Sequence, residues 1–442
     1  MKVNETPAPA AAFGLRGVLI LLLVSLLCQS TVPAQAESNI TRTVLPNGLV
    51  LIVKPSQASN LTAVEVMLKV TAFDEPEKAV GIRSFLQEVL LRGAKEQSEA
   101  IENWGGQMAA DVGLDYVEFS SLVISDGLEA SVQALAGVLR QAPTFDDGLI
   151  AKLKQERLDY LTASGDEPFY QAYQRFREEL YGSYPYGRPT LGERRTIKSF
   201  TPEMLSAFYS QWYVPNNTVV AICGNVSPER ARRAVERAFA GWPSRQLPER
   251  SSPEYRPLDR SLIAAGEGNQ RGAHVIIGFP APAARQTREF AGFQVLNSLL
   301  GRGMSGRLVE RLRRESGLAY EVYCFYPTLA EPSHLAVYVV CETRKLDAVK
   351  TIVVEQINQL LQQPPGDDEL AMAKRYLLGD YLVSQQRTKQ QAYCLAWYET
   401  IGLGAEFQQE LPGLIGQVTP DSISLSVNTY LHKMVIAAYL PR

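Results

Sequence analysis

A threonine-proline-acid start, a helix ending near an aromatic residue, and an apolar β run follow one another twice in this 442-residue chain. The first copy, TPEMLSAFYSQWYVPNNTVVAICG, begins at Thr201; the second, TPDSISLSVNTYLHKMVIAAYLP, begins at Thr419. In both, Thr caps the helix and Pro fits its first turn. Earlier stretches match as well. Residues 114–143 and 335–365 each read strand, short turn, amphipathic helix. Between the copies lies WPSRQLPERSSPEYRPLD (242–259), rich in Pro, Ser and charge and without periodicity, which reads as a linker. The expected fold class is α+β: two homologous domains, each an antiparallel sheet covered by helices. The expected boundaries are 37–243 for the first domain, 244–260 for the linker and 261–442 for the second.

Charge narrows the partners. With 44 basic and 47 acidic side chains the net charge is −3, and no concentrated basic face suggests nucleic acid. The arginines of 229–237 and 309–315 alternate with acids at helical spacing, as on solvated faces. Lys2 and Arg16 precede the apolar run 18–27, and Ala34-Gln35-Ala36 has the form of a signal-peptidase site. A cleaved signal at 1–36 is expected, with no stable membrane span afterwards and an exported, periplasmic or equivalent location. Cys223, Cys324, Cys341 and Cys394 form no C-x-x-C pair. Buried free thiols are expected, although Cys324 and Cys341 sit on two arms of one hairpin, where a bridge is conceivable.

The segment GIRSFLQEVLLRGA (81–94) reads as an amphipathic helix. Together with TVLPNGLVLIVKPSQASNLTAVEVMLKV before it, YGSYPYGRPTLG (181–192), FYSQWYVPNNTVVAICGNV (208–226) and LVERLRRESGLAYEVYC (308–324), it resembles the pitrilysin/insulinase/mitochondrial processing peptidase family of zinc peptidases. The resemblance spans nearly the whole chain after the signal and is nearest the processing-peptidase branch. It implies domains arranged as half of a peptidase chamber. Active members carry H-x-x-E-H, in which two histidines bind zinc from one helix face and the glutamate is general base. Here Ser84 and Glu88 stand at the histidine positions and Gln87 at the base. Alignment puts roughly Tyr160 at the third-ligand position, within a turn of Glu156 and Asp159. The three histidines, His274, His334 and His432, all lie in the second half, so the first half has no imidazole to offer. No metal is expected in this chain. Ser84 as an independent nucleophile has no histidine in its domain to activate it.

By the same resemblance, Arg313 and Tyr320 match the Arg/Tyr pair that the family's C-terminal halves direct at the substrate backbone. Both side chains donate hydrogen bonds suited to a carbonyl oxygen and the oxyanion that develops on it. The run GRGMSG (301–306) meets the dinucleotide pattern but follows a helix, so a helix-capping turn fits better. In noncatalytic relatives a glycine-rich loop near this place contacts substrate, which makes Gly301, Gly303 and Gly306 binding candidates. Ala109 falls on an edge strand that extended peptides join in relatives. The function so implied is a noncatalytic, substrate-binding subunit of a heterodimeric zinc metallopeptidase. Its partner would be a homologous subunit with an intact zinc motif, and its substrates unfolded peptides. A non-enzymatic scaffold of the same ancestry is the alternative.

Overall fold

The computed structural model describes residues 39–140, 145–163, 167–250, 253–301, 303 and 305–442; the expected signal segment lies outside them. The first half runs β1 (Thr41–Val44), β2 (Val50–Pro55), β3 (Leu61–Leu68), α1 (Ile82–Gly93), β4 (Met108–Val112), β5 (Val117–Ile124), α2 (Leu128–Arg140), α3 (Asp147–Ala163), α4 (Pro168–Tyr181), α5 (Pro202–Trp212) and β6 (Thr218–Gly224). The second runs β7 (Leu262–Gly268), β8 (Ala273–Ala281), α6 (Thr287–Gly301), β9 (Ala319–Phe325), β10 (Ser333–Cys341), α7 (Leu346–Gln362), α8 (Asp367–Ser384), α9 (Thr388–Thr400), α10 (Pro420–Tyr430) and β11 (Val435–Pro441). The sheet orders are β1-β2-β6-β3-β5-β4 and β7-β11-β8-β10-β9. Apart from β1, the second order is the first repeated. Thr201 and Thr419 cap α5 and α10 as the sequence suggests, their hydroxyls accepting from the Met204 and Ser422 amides at 3.3 and 3.2 Å.

Neither sheet is wholly antiparallel. β2 runs parallel to β6 and β7 parallel to β11. The closing strand of each half arrives by a long helical crossover, and such a connection frees a strand to pair in either direction.

The halves exchange a helix. The first-half helix α4 packs on β7, β8 and β11, whereas the second-half helix α9 packs on β3 and β6. Ala392 of α9 joins Ala63 and Cys223 in one buried cluster, and Trp397 meets the Tyr116 ring at 4.9 Å. Reciprocally, Tyr173 and Tyr181 of α4 clasp the imidazole of His334 on β10, each hydroxyl 2.9 Å from one ring nitrogen. Tyr181 also donates to the Pro332 carbonyl at 3.1 Å. Each sheet is therefore covered on both faces. That explains why β3 and β6 are apolar almost without alternation: Val64 and Val66 face one core, Met67, Val219 and Ala221 the other. Residues Ile40–Arg442 form a single compact unit.

Helix α6, whose sequence suggests an amphipathic helix, is buried nearly all round, from Phe290 to Gly301. It is enclosed by α8, α10 and β9, and so needs no polar face. Cys324 faces Val337 and Cys341 faces Ala319, so the hairpin register holds these thiols apart; all four described cysteines are free and buried.

One buried group opposes the fold. Glu65 of β3 is fully buried, and neither of its carboxylate oxygens has a hydrogen-bond partner among the described residues. Burial, and then the nearby Glu118 carboxylate, hold its pKa well above the usual range. A raised carboxyl pKa adds stability at low pH that is lost as pH rises. Glu65→Gln is therefore expected to stabilise the protein by about 1–3 kcal/mol at pH 8 and by much less at pH 5. Urea denaturation at the two pH values checks this, and an equal gain at both would count against it.

Candidate functional site

Helix α1 is fixed from below. Gly81 starts it with φ at +89°, and a Cβ there would lie 2.4 Å from the Cα of Gly192. Arg83, almost fully buried, pairs with buried Glu75 at 3.1 Å and donates to the Val70 and Gly113 carbonyls. These contacts set Ser84, Gln87 and Glu88 toward a cleft of about 490 Å³. Its other walls are edge strand β4 (Ala110, Asp111, Val112), helix α3 (Glu156, Arg157, Tyr160) and the turn at Thr190 and Leu191. Ala109 lies in β4, opposite Ser120.

The three motif positions are occupied. Arg157 donates through one nitrogen to Ser84 Oγ at 3.0 Å and the Leu191 carbonyl at 3.2 Å, and through the other to Glu88 Oε2 at 2.5 Å. A guanidinium thus bridges Ser84 and Glu88, the two positions to which the family resemblance assigns histidines. Gln87 donates to the Glu118 carbonyl at 3.2 Å, tying α1 to β5 rather than serving as a base. Tyr160 is 48% exposed on the cleft wall, Glu156 pairs with Arg92 and Lys152, and Asp159 accepts from Gln155. Zinc does not fit this set. Serine and glutamine are poor ligands, the one carboxylate is engaged, and a fixed positive charge repels a cation. No group of three His, Cys, Asp or Glu residues among the described residues has a metal-holding arrangement.

Arg157 escapes the sequence reading, which stops at Tyr160, Glu156 and Asp159. The signal was available. Ile150, Leu153 and Arg157 fall at i, i+3 and i+7 on the buried face of α3, where a charge needs a partner across the helix pair.

Arg313 and Tyr320 lie elsewhere, beside edge strand β9. Arg313 belongs to a π-helical turn, Glu310–Glu315, just before β9. Arg311 and Arg314 pair with Glu315 and Glu310, whereas exposed Arg313 has no hydrogen bond or ion pair among the described residues. Tyr320 is 64% exposed. In the β9–β10 ladder Glu321 faces Val340 and Ala319 faces Cys341, leaving Tyr320 as the extra residue of a bulge. Bulges re-aim side chains out of the sheet pattern, and this one directs a phenol to solvent at a free edge.

The glycines have packing reasons. A Cβ on Gly301 would strike the Cys324 sulfur at 2.2 Å, and one on Gly306 the Gly301 Cα at 2.7 Å. Gly303 has φ at +80° and faces the Tyr376 ring, while Arg302 and Met304 lie outside the described residues.

The chain is thus a two-sheet α+β protein with a cleft at its first helix, in which Arg157 joins Ser84 to Glu88. Residues 199–377 match the peptidase M16 inactive domain. An uncharacterized zinc protease of Streptomyces coelicolor is 26% identical over 402 residues, 87% of this chain and 85% of the relative. A protease from Helicobacter pylori shares the fold at a TM-score of 0.85 and 18% identity, covering 91% of this chain and 99% of that one. A peptidase M16 inactive domain from Pseudomonas fluorescens does so at 0.83 and 20%, covering 91% and 98%. The chain is thus similar to M16 peptidases over residues 199–377 and shares their fold, and its sequence contains no H-x-x-E-H.

Proposed function

We propose that the chain is the noncatalytic, substrate-binding subunit of an exported heterodimeric zinc metallopeptidase. It supplies Arg313 and Tyr320 to the active site of a homologous partner that carries the zinc and the general base. One observation carries the reading. Arg157 bridges Ser84 and Glu88 in the first cleft, while exposed Arg313 and Tyr320 at the other edge strand have no hydrogen bond or ion pair among the described residues. Separate loss of the two halves of a site is what division of labour between homologous subunits leaves behind. Substrate would bind as an extended, unfolded segment, because edge strands offer backbone hydrogen bonds to any sequence in that form. The signal-like N-terminus supports an extracytoplasmic location.

The test is reconstitution with a homologue whose H-x-x-E-H is intact. Peptide turnover is expected only from the mixture, with zinc near one per heterodimer. Arg313→Ala is expected to lower the mixture's kcat by about 10²–10³-fold, the loss typical of one oxyanion donor. Turnover by this chain alone, or full activity of the Arg313→Ala mixture, would sink the proposal.

A further inference from the structure

A second cavity, of about 450 Å³, opens at the far end of the second sheet from Tyr320. The register fixes its place. β8 and β10 end there in the Ala281–Ser333 pair, while Tyr320 lies by Cys341 at the opposite end. The linker segment Tyr255–Leu258, the turn after β8 and the end of α10 complete the walls. A cavity of this size suits a small ligand, and it shares no lining residue with the α1 cleft.

Its chemistry is one-sided. Pro257, Pro280, Pro282 and Pro332 line it, and proline has no N–H to donate. Two of their carbonyls are already engaged: Pro282 accepts from the Tyr326 hydroxyl at 2.7 Å and Pro332 from that of Tyr181 at 3.1 Å. These walls offer rigid apolar contact. The charged residue among the described lining is Lys433, next to His432, and that described lining includes no aspartate or glutamate. Both side chains are exposed and neither has a hydrogen bond or ion pair among the described residues. Gln286 is satisfied internally, accepting from the Ala283 amide and donating to the Tyr430 hydroxyl. The buried hydroxyl of Tyr255, another wall residue, has no partner among the described residues. An apolar cavity with the Lys433 ammonium on one side is complementary to a single anionic head on an apolar body.

We propose that this cavity binds a small carboxylic acid, its apolar body against the proline walls and its carboxylate at Lys433 and His432. The site is independent of the Arg313/Tyr320 reading and does not rest on it. The same head group occurs on acyl chains and on compact aromatic acids, so both enter the test. Calorimetric titration of the purified chain would use octanoate, 4-phenylbutyrate and the uncharged 4-phenylbutanol. One saturable site is expected, with the better acid at least tenfold tighter than the alcohol. Lys433→Ala is expected to weaken the acid about tenfold and leave the alcohol unchanged. Thr429→Trp, an exposed position at the cavity rim, is expected to block both while leaving the thermal melt unaltered. Preference for octanoate assigns an acyl ligand and preference for 4-phenylbutyrate an aromatic one; either supports the site. Equal affinity for acid and alcohol, an unaffected Lys433→Ala variant, or no saturable binding of either acid overturns it.

Discussion

Arg157→Ala is expected to destabilise the protein by about 3 kcal/mol, at the lower end for breaking a mostly buried ion pair by removing one partner. Arg157 is 9% exposed at the side chain and Glu88 23%, so the stranded carboxylate regains some water and the full penalty is not reached. The same change leaves Ser84 Oγ and the Leu191 carbonyl without their donor. Glu88→Gln is expected to cost only about 1 kcal/mol, because the amide oxygen still accepts and Arg157 keeps two other acceptors. Urea denaturation of both single variants and the double variant closes the cycle, with a coupling of about 1–3 kcal/mol expected. A null coupling would mean that the guanidinium is not what holds α1 and α3 together across the cleft.

The second large effect concerns acid. Burial, then the Arg177 charge, push the His334 pKa down to about 3. Its ring is held neutral by geometry. Tyr181 donates to Pro332, so it accepts the Nδ1 proton, and Nε2 accepts from Tyr173. A depressed histidine pKa gives stability that is complete above the unfolded value near 6.5 and is lost as pH falls toward 3. The loss approaches about 4 kcal/mol at roughly 1.4 kcal/mol per pH unit. Two groups pull the other way. Burial raises Asp115 to about 6 and Glu65 well above its ordinary value, so both favour the fold as acid is added. The informative quantity is thus the difference between the native protein and His334→Gln. The stability gap between them is expected to shrink steadily from pH 6.5 to 4. A gap independent of pH would remove the histidine from the account of acid sensitivity.

The duplication was legible because it is written in local terms. Thr201 and Thr419 announce their helices through caps, and the β runs after them are apolar without interruption. The reciprocal exchange of α4 and α9 was not legible. An apolar helix face declares that it must be covered, not which sheet covers it, and both sheets present similar surfaces. At the site, the family resemblance singles out Ser84, Gln87 and Glu88, and residue chemistry alone marks serine and glutamine as poor metal ligands. The bridge that Arg157 makes between Ser84 and Glu88 was not legible, because it depends on how α3 crosses α1. Arg313 and Arg314 are equivalent in composition, and only the Glu310 pairing taken by Arg314 separates them. The bulge that exposes Tyr320 arises from a one-residue mismatch with β10, which no single strand records.

The exchanged helices also bear on synthesis. Strands β3 and β6 are complete by Gly224, yet the helix that shields their second face spans Thr388–Thr400. A nascent chain emerging from the ribosome can close the core on one face of its first sheet, but cannot cover the other face until about nine-tenths of it has been made. During that interval the apolar side of the first sheet is available to chaperones.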